Sequence, residues 1–351
     1  MSPFAGEIVC GLLLKGLVSD ADALIRQVRS FRGDEWRRLA DLARANVVLL
    51  RLANRLGVLD EGPIEPVFVR AVAEERARIA RTIELIRVLS DLCHAARIAH
   101  VFTKAFQHYP DMGHDVDLFV ADRSDAVDRL VCAQLGGRRA QGSLLNWIAG
   151  KSAYDVPGYP SPVEIHHGRI GHLGEHNRFP HRLLANRRTI RVEQVAVDVP
   201  GPEERLLLQV IQRIYGHLSI RLSDVVQSLE LLRGGELDWD SVVRTSREIG
   251  IFDGLRCYLT YLRQIAEMSG VEVGMPAMIE TLASNSRWGR VRWTGFVYRF
   301  PSVLVAGRAY LKKFLSDVTV GNWEGAGRLA LLPPLSVMLG CRLMVLRAKG
   351  Q

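Results

Sequence analysis

The chain has 351 residues, of which 48% are hydrophobic and 24% are charged, a composition typical of a folded protein with a sizeable core. This balance excludes collagen-like chains, wholly disordered chains and small disulfide scaffolds. The 46 basic residues outnumber the 38 acidic ones, and the net charge of +8 favours anionic partners such as nucleotides, nucleic acids or acidic lipids. At roughly 100–200 residues per domain, the length predicts two domains, or one domain with a large helical extension.

The cysteines and the apolar segments predict a cytoplasmic protein. Five cysteines are scattered without any Cys-x-x-Cys pair, which argues against a disulfide framework and favours a reducing compartment. The apolar N-terminal residues lack a preceding basic region, so we predict no signal peptide. The apolar stretch at residues 329–339 contains two prolines and is shorter than the roughly 20 residues of a spanning helix, so we expect no transmembrane segment.

Residues 1–98 are predicted to form a helical N-terminal region. Between residues 20 and 97, apolar residues recur every three or four positions with polar residues between them, as on one face of a helix. The pattern breaks at residues 57–66, where we expect a loop between helices.

Residues 99–200 are predicted to form an α/β core, which is a small mixed sheet with one or two helices inserted between the helical regions. Apolar and polar residues alternate here with the period of two that half-buried strands show. The predicted strands are 100–103, 116–120, 153–156, 163–170 and 189–199, and a helix is predicted at 122–135.

Residues 201–351 are predicted to form a helical C-terminal domain, because the helical period resumes from Glu203 onward. Pro202 suits a first helical turn, where a proline needs no N–H partner, and the acidic Glu203 and Glu204 suit the positive end of the helix dipole. The predicted fold class is therefore α+β and predominantly helical, with a small mixed β-sheet flanked by N-terminal and C-terminal helical regions.

Two aspartates, Asp115 and Asp117, stand two positions apart at the predicted strand 116–120. Since side chains alternate along a strand, both carboxylates project from one face while Val116, Leu118 and Val120 enter the core. Carboxylates this close repel each other, so the pair is expected to share a proton or to bind a divalent cation. Magnesium, a hard ion that prefers carboxylate and phosphate oxygens, is the cation we expect.

Glu164 is the candidate third carboxylate of a two-metal phosphoryl-transfer site, in which metals about 3.5–4 Å apart hold the attacking and leaving oxygens. On its predicted strand Glu164 shares one face with His166, so it approaches the aspartates from a neighbouring strand and His166 borders the site. Asp155 and Asp198 are weaker candidates for the third carboxylate.

Several short motifs follow one another in an order seen in a known family. Lys104 and a small residue precede a Tyr-Pro pair and then Asp-Val-Asp-Leu-Phe-Val at residues 115–120. Val-Glu-Ile-His-His follows at 163–167, then His217 with Arg-Leu-Ser-Asp at 221–224, and Asp-Trp at 238–239. Across residues 85–270 the chain thus resembles the uncharacterised nucleotidyltransferases of the DNA polymerase beta superfamily.

This resemblance implies a nucleotidyltransferase fold in which Asp115, Asp117 and Glu164 bind two magnesium ions and Lys104 lies near the phosphates of a nucleoside triphosphate. The implied activity moves a nucleoside monophosphate from the triphosphate to an acceptor hydroxyl or phosphate and releases pyrophosphate. A small metabolite, a sugar, an antibiotic intermediate and a peptide all stay open as the acceptor.

His217, Arg221 and Asp224 are spaced by four and three residues, so on one helix they share a face and can pair with one another. If that helix packs over the sheet, Arg221 reaches a nucleotide phosphate with bidentate geometry. We therefore keep the three as candidate nucleotide-binding residues beside Lys104 and His166, with structural pairing as the equal alternative.

Two further clusters have structural interpretations. Five histidines fall between residues 166 and 181, but their spacing matches no zinc pattern, so we predict no zinc site there. The basic aromatic stretch at residues 287–299 is predicted to be a helix with an aromatic core face and a solvated arginine face. Binding of single-stranded nucleic acid and anchoring at an acidic membrane surface stay open for it, though neither is favoured.

A second hypothesis keeps the fold without turnover: a catalytically degenerate protein that binds RNA, anionic lipid or a protein partner. The family usually has glycine after the lysine, where this chain has Ala105. The family also commonly has an arginine a few residues before the first aspartate, and this chain has none there. Both departures favour a binding protein, whereas the three retained acidic residues favour an enzyme.

Overall fold

The computed structural model describes residues 6–19, 21–57, 64–121, 125–142, 144–283 and 288–335. The N-terminal region is helical and is interrupted near the predicted loop. Its helices are α1 (Gly6–Val18), α2 (Ala21–Arg29), α3 (Gly33–Ala45), α4 (Leu49–Arg55) and α5 (Pro66–Ala95). Helix α1 is an addition to the predicted pattern and occupies the apolar N-terminal residues.

Helix α5 is 30 residues long and begins at Pro66, where the missing N–H of a proline costs nothing. It buries Ile79, Ile83 and Ile86 at spacings of four and three, which is the periodicity of one helix face. Each fully buried isoleucine contributes about 1.5–3 kcal/mol. Helix α5 contacts α3 and α4 within the N-terminal region.

The central sheet has the strand order β1-β2-β5-β4-β3. Its strands are β1 (His100–Phe102), β2 (Val116–Val120), β3 (Arg138–Arg139), β4 (Lys151–Asp155) and β5 (Val163–His167). Strands β2 and β5 are parallel and the other pairs are antiparallel, so the sheet is mixed. The helices of this region are α6 (Ala126–Leu135), α7 (Leu144–Ile148) and α8 (Pro180–Ala185).

The prediction of one strand at residues 189–199 is wrong. This segment forms a hairpin of β6 (Arg187–Val192) and β7 (Val195–Pro200), which is a two-stranded sheet separate from the central one. The chain reverses at Glu193, whose φ of 54° lies in the left-handed region. Alternation alone could not reveal this turn, because both arms of the hairpin carry it.

Other boundaries shift by a few residues. Strand β5 ends at His167 instead of residue 170, because Gly168 has a φ of 62° and leaves the extended conformation. The predicted start of α6 at Asp122 lies outside the described residues. The short elements β3, α7 and α8 carry too few residues for a periodic signal.

The C-terminal region is mostly helical, and its first helix begins at Pro202 as predicted. Its helices are α9 (Pro202–Val210), a π-helix (Ile211–His217), α10 (Leu222–Arg233), α11 (Trp239–Glu248), α12 (Phe252–Met268), α13 (Ala277–Ala283) and α14 (Ser302–Thr319), followed by helical residues 323–335. The prediction of one helix face through residues 217–224 is wrong. Leu218 has a φ of 53°, and strand β8 (Ser219–Ile220) separates the π-helix from α10.

The basic aromatic stretch is a β-hairpin, so its prediction as a helix is wrong. Strands β9 (Arg292–Thr294) and β10 (Val297–Arg299) pair with each other, and β10 also pairs with β8. Gly295 lies in the turn of the hairpin, and its φ of 69° is incompatible with a continuous right-handed helix. Arg287 and residues 336–351 lie outside the described residues.

Buried apolar side chains of all three predicted regions form one cluster, from Cys10 to Ala309. The α+β, predominantly helical fold class with a small flanked mixed sheet is confirmed. The boundaries at residues 98 and 200 remain predictions. Within the described ranges, no helix combines the length and the hydropathy that a membrane crossing requires.

Candidate active site

The central pair of carboxylates belongs to two adjacent parallel strands. Asp117 on β2 lies directly opposite Glu164 on β5, so both side chains project from the same face of the sheet. Asp117 is fully buried, and the Glu164 side chain is 28% exposed. The predicted approach of Glu164 from a neighbouring strand is thus what the sheet register provides.

His166 joins these two carboxylates. Its Nε2 atom lies 3.0 Å from Oδ1 of Asp117 and 2.9 Å from Oε1 of Glu164. Ionised carboxylates only accept hydrogen bonds, so Nε2 carries the proton in this arrangement. Ligand atoms of the three residues all lie within 4.8 Å of one another, and no other such group of metal-type ligands occurs among the residues that the structure describes.

Two lysines neutralise the pair. The Nζ atom of Lys104, in the turn after β1, is 2.8 Å from both carboxylate oxygens of Asp117. The Nζ atom of Lys151, at the start of β4, is 2.7 Å from Oε1 of Glu164. Lys151 was missed by sequence reasoning, since only the antiparallel pairing of β4 with β5 brings it beside His166.

These contacts decide the protonation of the carboxylates. Burial raises the pKa of Asp117, but the ammonium of Lys104 and the hydrogen bond from His166 outweigh it and hold that pKa well below its usual range. Burial also opposes ionisation of Glu164, yet His166 and Lys151 lower its pKa to about 2. For Lys104, burial lowers the pKa but the charge of Asp117 prevails and raises it. The carboxylates of Asp117 and Glu164 and the ammonium group of Lys104 are therefore charged at neutral pH.

Asp115 lies just before β2 and is exposed, unlike Asp117. Its pKa is raised chiefly by repulsion from Asp117 and next by desolvation, while Lys104 lowers it. The two aspartates therefore interact through their charges, but Asp115 is not one of the three residues whose ligand atoms converge.

The predicted His217, Arg221 and Asp224 do not join the carboxylates. The Oδ1 atom of Asp224 is 2.8 Å from Nη2 of Arg213, and its Oδ2 accepts the backbone N–H of Arg221. Asp224 is thus buried as an ion-pair partner and a helix cap for α10. Burial, and then the charge of Arg213, lower the pKa of His217 to about 4, so His217 is neutral.

A cavity of about 100 Å³ lies beside the carboxylates. Its walls include Lys104, Lys151 and His166 from the sheet side and His217 from the π-helix. This volume is below the roughly 300–1,000 Å³ of pockets that enclose a whole ligand. The cavity fits a few waters or a hydrated ion while the lysines hold their present positions.

The weaker candidates lie elsewhere. Asp155 is exposed at the end of β4, and Asp198 on the β6–β7 hairpin pairs with Arg187. His167 contacts Asp128 on the other face of the sheet. The two consecutive histidines of β5, His166 and His167, therefore lie on opposite faces of the sheet, as a strand period of two requires.

Comparison with known proteins adds the decisive observation. A family model described as uncharacterised nucleotidyltransferase matches residues 32–267, which is about two thirds of the chain and includes the sheet with all three carboxylates. The chain belongs to this nucleotidyltransferase family. The match also covers most of the N-terminal helices, more than the motifs alone indicated. No curated protein matches the chain.

Proposed function

We propose that the chain is a magnesium-dependent nucleotidyltransferase that moves a nucleoside monophosphate from a nucleoside triphosphate to an acceptor hydroxyl or phosphate. The observation that carries this proposal is the pair of Asp117 and Glu164, which lie opposite each other on parallel strands and are each contacted by a lysine ammonium group. Family membership supplies the reaction class.

The donor set fits a magnesium ion. Hard carboxylate oxygens converge from two strands, and the two lysine ammonium groups that pair with them are on side chains that can move away. Asp117 and Glu164 would hold the ion, with Asp115 contributing from the exposed end of β2. When bound, magnesium would neutralise phosphate oxygens and stabilise the charge that develops during transfer.

When a triphosphate binds, Lys104 and Lys151 would leave the carboxylates and contact the phosphates instead. Both are flexible ammonium donors that now contact carboxylates, and both line the cavity beside the site. Turning toward the phosphates would enlarge the cavity and free the carboxylate oxygens. The departure of Lys151 would also remove one cause of the low pKa of Glu164, which would make that carboxylate a better proton acceptor.

In the transfer itself, the acceptor oxygen would bond to the α-phosphorus and the bond from that phosphorus to the bridging oxygen would break. Pyrophosphate would leave with the electron pair, and where the acceptor is a hydroxyl, Glu164 would accept its proton. Arg221 and His217 would face the phosphates from the C-terminal side, with Asp224 positioning Arg221 through the cap of α10.

A thermal-shift measurement tests this proposal. The four ribonucleoside triphosphates are added with and without magnesium to the wild type, to Asp117→Asn, and to Asp155→Asn as the control. A ligand at a hundred times its Kd stabilises a folded protein by about 2.7 kcal/mol. We expect magnesium-dependent stabilisation by a triphosphate in the wild type and the control and its loss in Asp117→Asn.

Asp155→Asn is a matched control because it makes the same change on an exposed residue of the same sheet. If none of the triphosphates stabilises the wild type, or if Asp117→Asn responds as the wild type does, the carboxylate pair is not a nucleotide site. The catalytically degenerate binding protein would then be the better description.

A further inference from the structure

The three-stranded sheet β8-β10-β9 has one buried and one exposed face. Trp293 and Tyr298 are directly paired across β9 and β10 and pack edge to face, with their ring centroids 4.9 Å apart. Tyr298 is buried, and so is Ile220 opposite it on β8. Trp293 and Tyr298 therefore fix this small sheet to the hydrophobic core.

The other face carries arginines. Arg292 and Arg299 are direct cross-strand partners and are both exposed. Neither makes an ion pair with any residue that the structure describes. Like charges directly opposite each other destabilise an antiparallel pair, so this arrangement has an unfavourable cost in the free protein. An anion that lies across both guanidinium groups would remove that cost.

An exposed aromatic side chain stands at the end of the same hairpin. Phe296 is 52% exposed, while its backbone is held: its carbonyl accepts a hydrogen bond of 2.7 Å from Nδ2 of the buried Asn46. The Oδ1 atom of Asn46 in turn accepts the backbone N–H of Leu222, at the start of α10. The turn is therefore anchored to two helices, and the Phe296 ring is presented on a fixed backbone.

The register of the sheet continues this charge toward the candidate active site. Arg299 pairs with Ser219 on β8. Arg221 follows in an extended conformation, with φ −90° and ψ 162°, so Ser219 and Arg221 project away from the buried side of Ile220. Arg221 lies close enough to Asp115 for their charges to interact. Arg221 therefore directly follows the strand that pairs with the arginine hairpin, and its charge interacts with that of Asp115.

We propose that the exposed face of β8-β10-β9 binds single-stranded nucleic acid, with Arg292 and Arg299 on the phosphates and Phe296 stacked on a base. The hairpin thus carries two exposed arginines and one exposed aromatic ring, and basic and aromatic side chains together are the features by which proteins hold single strands without reading their sequence. The stretch is a hairpin with one large exposed apolar side chain, which does not provide the apolar helix face that a membrane anchor requires.

Binding at this face does not require the transfer reaction proposed above, so the two can be tested separately. The probe is a fluorescein-labelled twelve-nucleotide oligo(U) RNA, titrated by anisotropy at several NaCl concentrations. The test variant is Arg292→Gln with Arg299→Gln. The matched control is Arg26→Gln with Arg29→Gln, which removes two exposed arginines from α2.

We expect the hairpin variant to bind the RNA about tenfold more weakly than the wild type. The plot of log K against log salt should become less steep by about 1.4, because each lost phosphate contact of a single strand reduces the magnitude of the slope by about 0.7. Phe296→Ala should weaken binding at least about fivefold. The control should stay within about twofold of the wild type. Without RNA, the hairpin variant should melt at the same temperature as the wild type or higher, because the arginine repulsion is gone.

Equal RNA affinity of the wild type and the hairpin variant, or equal losses in the hairpin variant and the control, would overturn the proposal. So would binding to phosphatidylserine vesicles that the hairpin variant loses while RNA affinity is unchanged. The wild type is also melted with magnesium and triphosphates. If magnesium triphosphate stabilises the wild type but the RNA does not bind, the nucleotidyltransferase proposal stands and the RNA-binding proposal is wrong. If the RNA binds through the hairpin but no triphosphate stabilises the protein, the RNA-binding proposal stands and the nucleotidyltransferase proposal is wrong.

Discussion

Strand β5 carries two consecutive histidines, and each contacts an aspartate on its own face of the sheet. The Nε2 atom of His166 is 3.0 Å from Asp117, and the Nε2 atom of His167 is 3.0 Å from Asp128. The remaining partners differ. Asp117 is paired with the ammonium group of Lys104, whereas Asp128 accepts a hydrogen bond from the hydroxyl of Tyr154.

This difference separates an exchangeable site from a fixed one. Lys104 sits on a flexible four-carbon chain and can release its carboxylate to a cation. The Tyr154 hydroxyl is held by a buried ring on β4, so Asp128 ties helix α6 to strands β4 and β5. The two histidine–aspartate pairs have the same distance but different roles. The additional partner, Lys104 or Tyr154, decides whether the aspartate can be released to a cation.

The largest expected effect is on ligand binding at the exchangeable pair. Asp117→Asn should lower the affinity for a magnesium triphosphate more than about 100-fold. Mutation of residues that only hydrogen-bond to metal ligands already lowers metal affinity by about 10–100-fold, and Asp117 is proposed as a ligand itself. Isothermal titration with the triphosphate that stabilises the wild type measures this. An affinity within a few-fold of the wild type would remove Asp117 from the metal site.

Lys104→Gln should destabilise the metal-free protein by about 2 kcal/mol, because the buried Asp117 charge loses its partner. Added magnesium should recover more stability in this variant than in the wild type, since the cation no longer competes with the ammonium group. Urea unfolding at neutral pH with and without magnesium checks both effects. Lys151→Gln, at a more exposed ion pair, is the matched comparison and should cost less.

Asp128→Asn should show the opposite behaviour from Asp117→Asn. It weakens the contacts with His167 and Tyr154 and should cost about 1.5 kcal/mol of unfolding free energy. Magnesium triphosphate affinity should stay close to that of the wild type. A loss of affinity equal to that of Asp117→Asn, without a loss of stability, would contradict the division between the two faces.

A further effect is on the acid side of the stability profile. The pKa of Glu164 is about 2 in the folded protein and close to 4.5 when unfolded, so the unfolded state binds more protons between these values. Glu164 therefore stabilises the fold above pH 4.5, and this contribution is lost as the pH falls toward 2. Its slope is at most about 1.4 kcal/mol per pH unit.

Glu164→Gln should flatten that slope, which urea midpoints at pH 5, 4 and 3 can measure. Replacement of the exposed Asp155 by Asn serves as the comparison and should leave the slope close to that of the wild type. A slope in Glu164→Gln as steep as in the wild type would mean that other carboxylates dominate the acid response.

Local periodicity predicted much of the fold and part of the candidate site. The alternation around Asp117 and Glu164 placed both residues on strands, and the helical period placed α5 and α9, because each of these signals lies within one continuous segment. The same reasoning was wrong at residues 189–199 and 217–224. There, Glu193 and Leu218 adopt positive φ angles, which glutamate and leucine rarely adopt, so the residue types gave no indication of these turns.

The sequence by itself determined the α+β class and the residue types of the site, since hydrophobic alternation and helical spacing are properties of neighbouring residues. Only the tertiary structure decided that β2 and β5 are parallel, that Lys151 reaches Glu164, and that the basic aromatic stretch is a hairpin beside β8. The physical reason is that strand pairing joins residues far apart in the chain. The free energy of that pairing depends on the whole folded core.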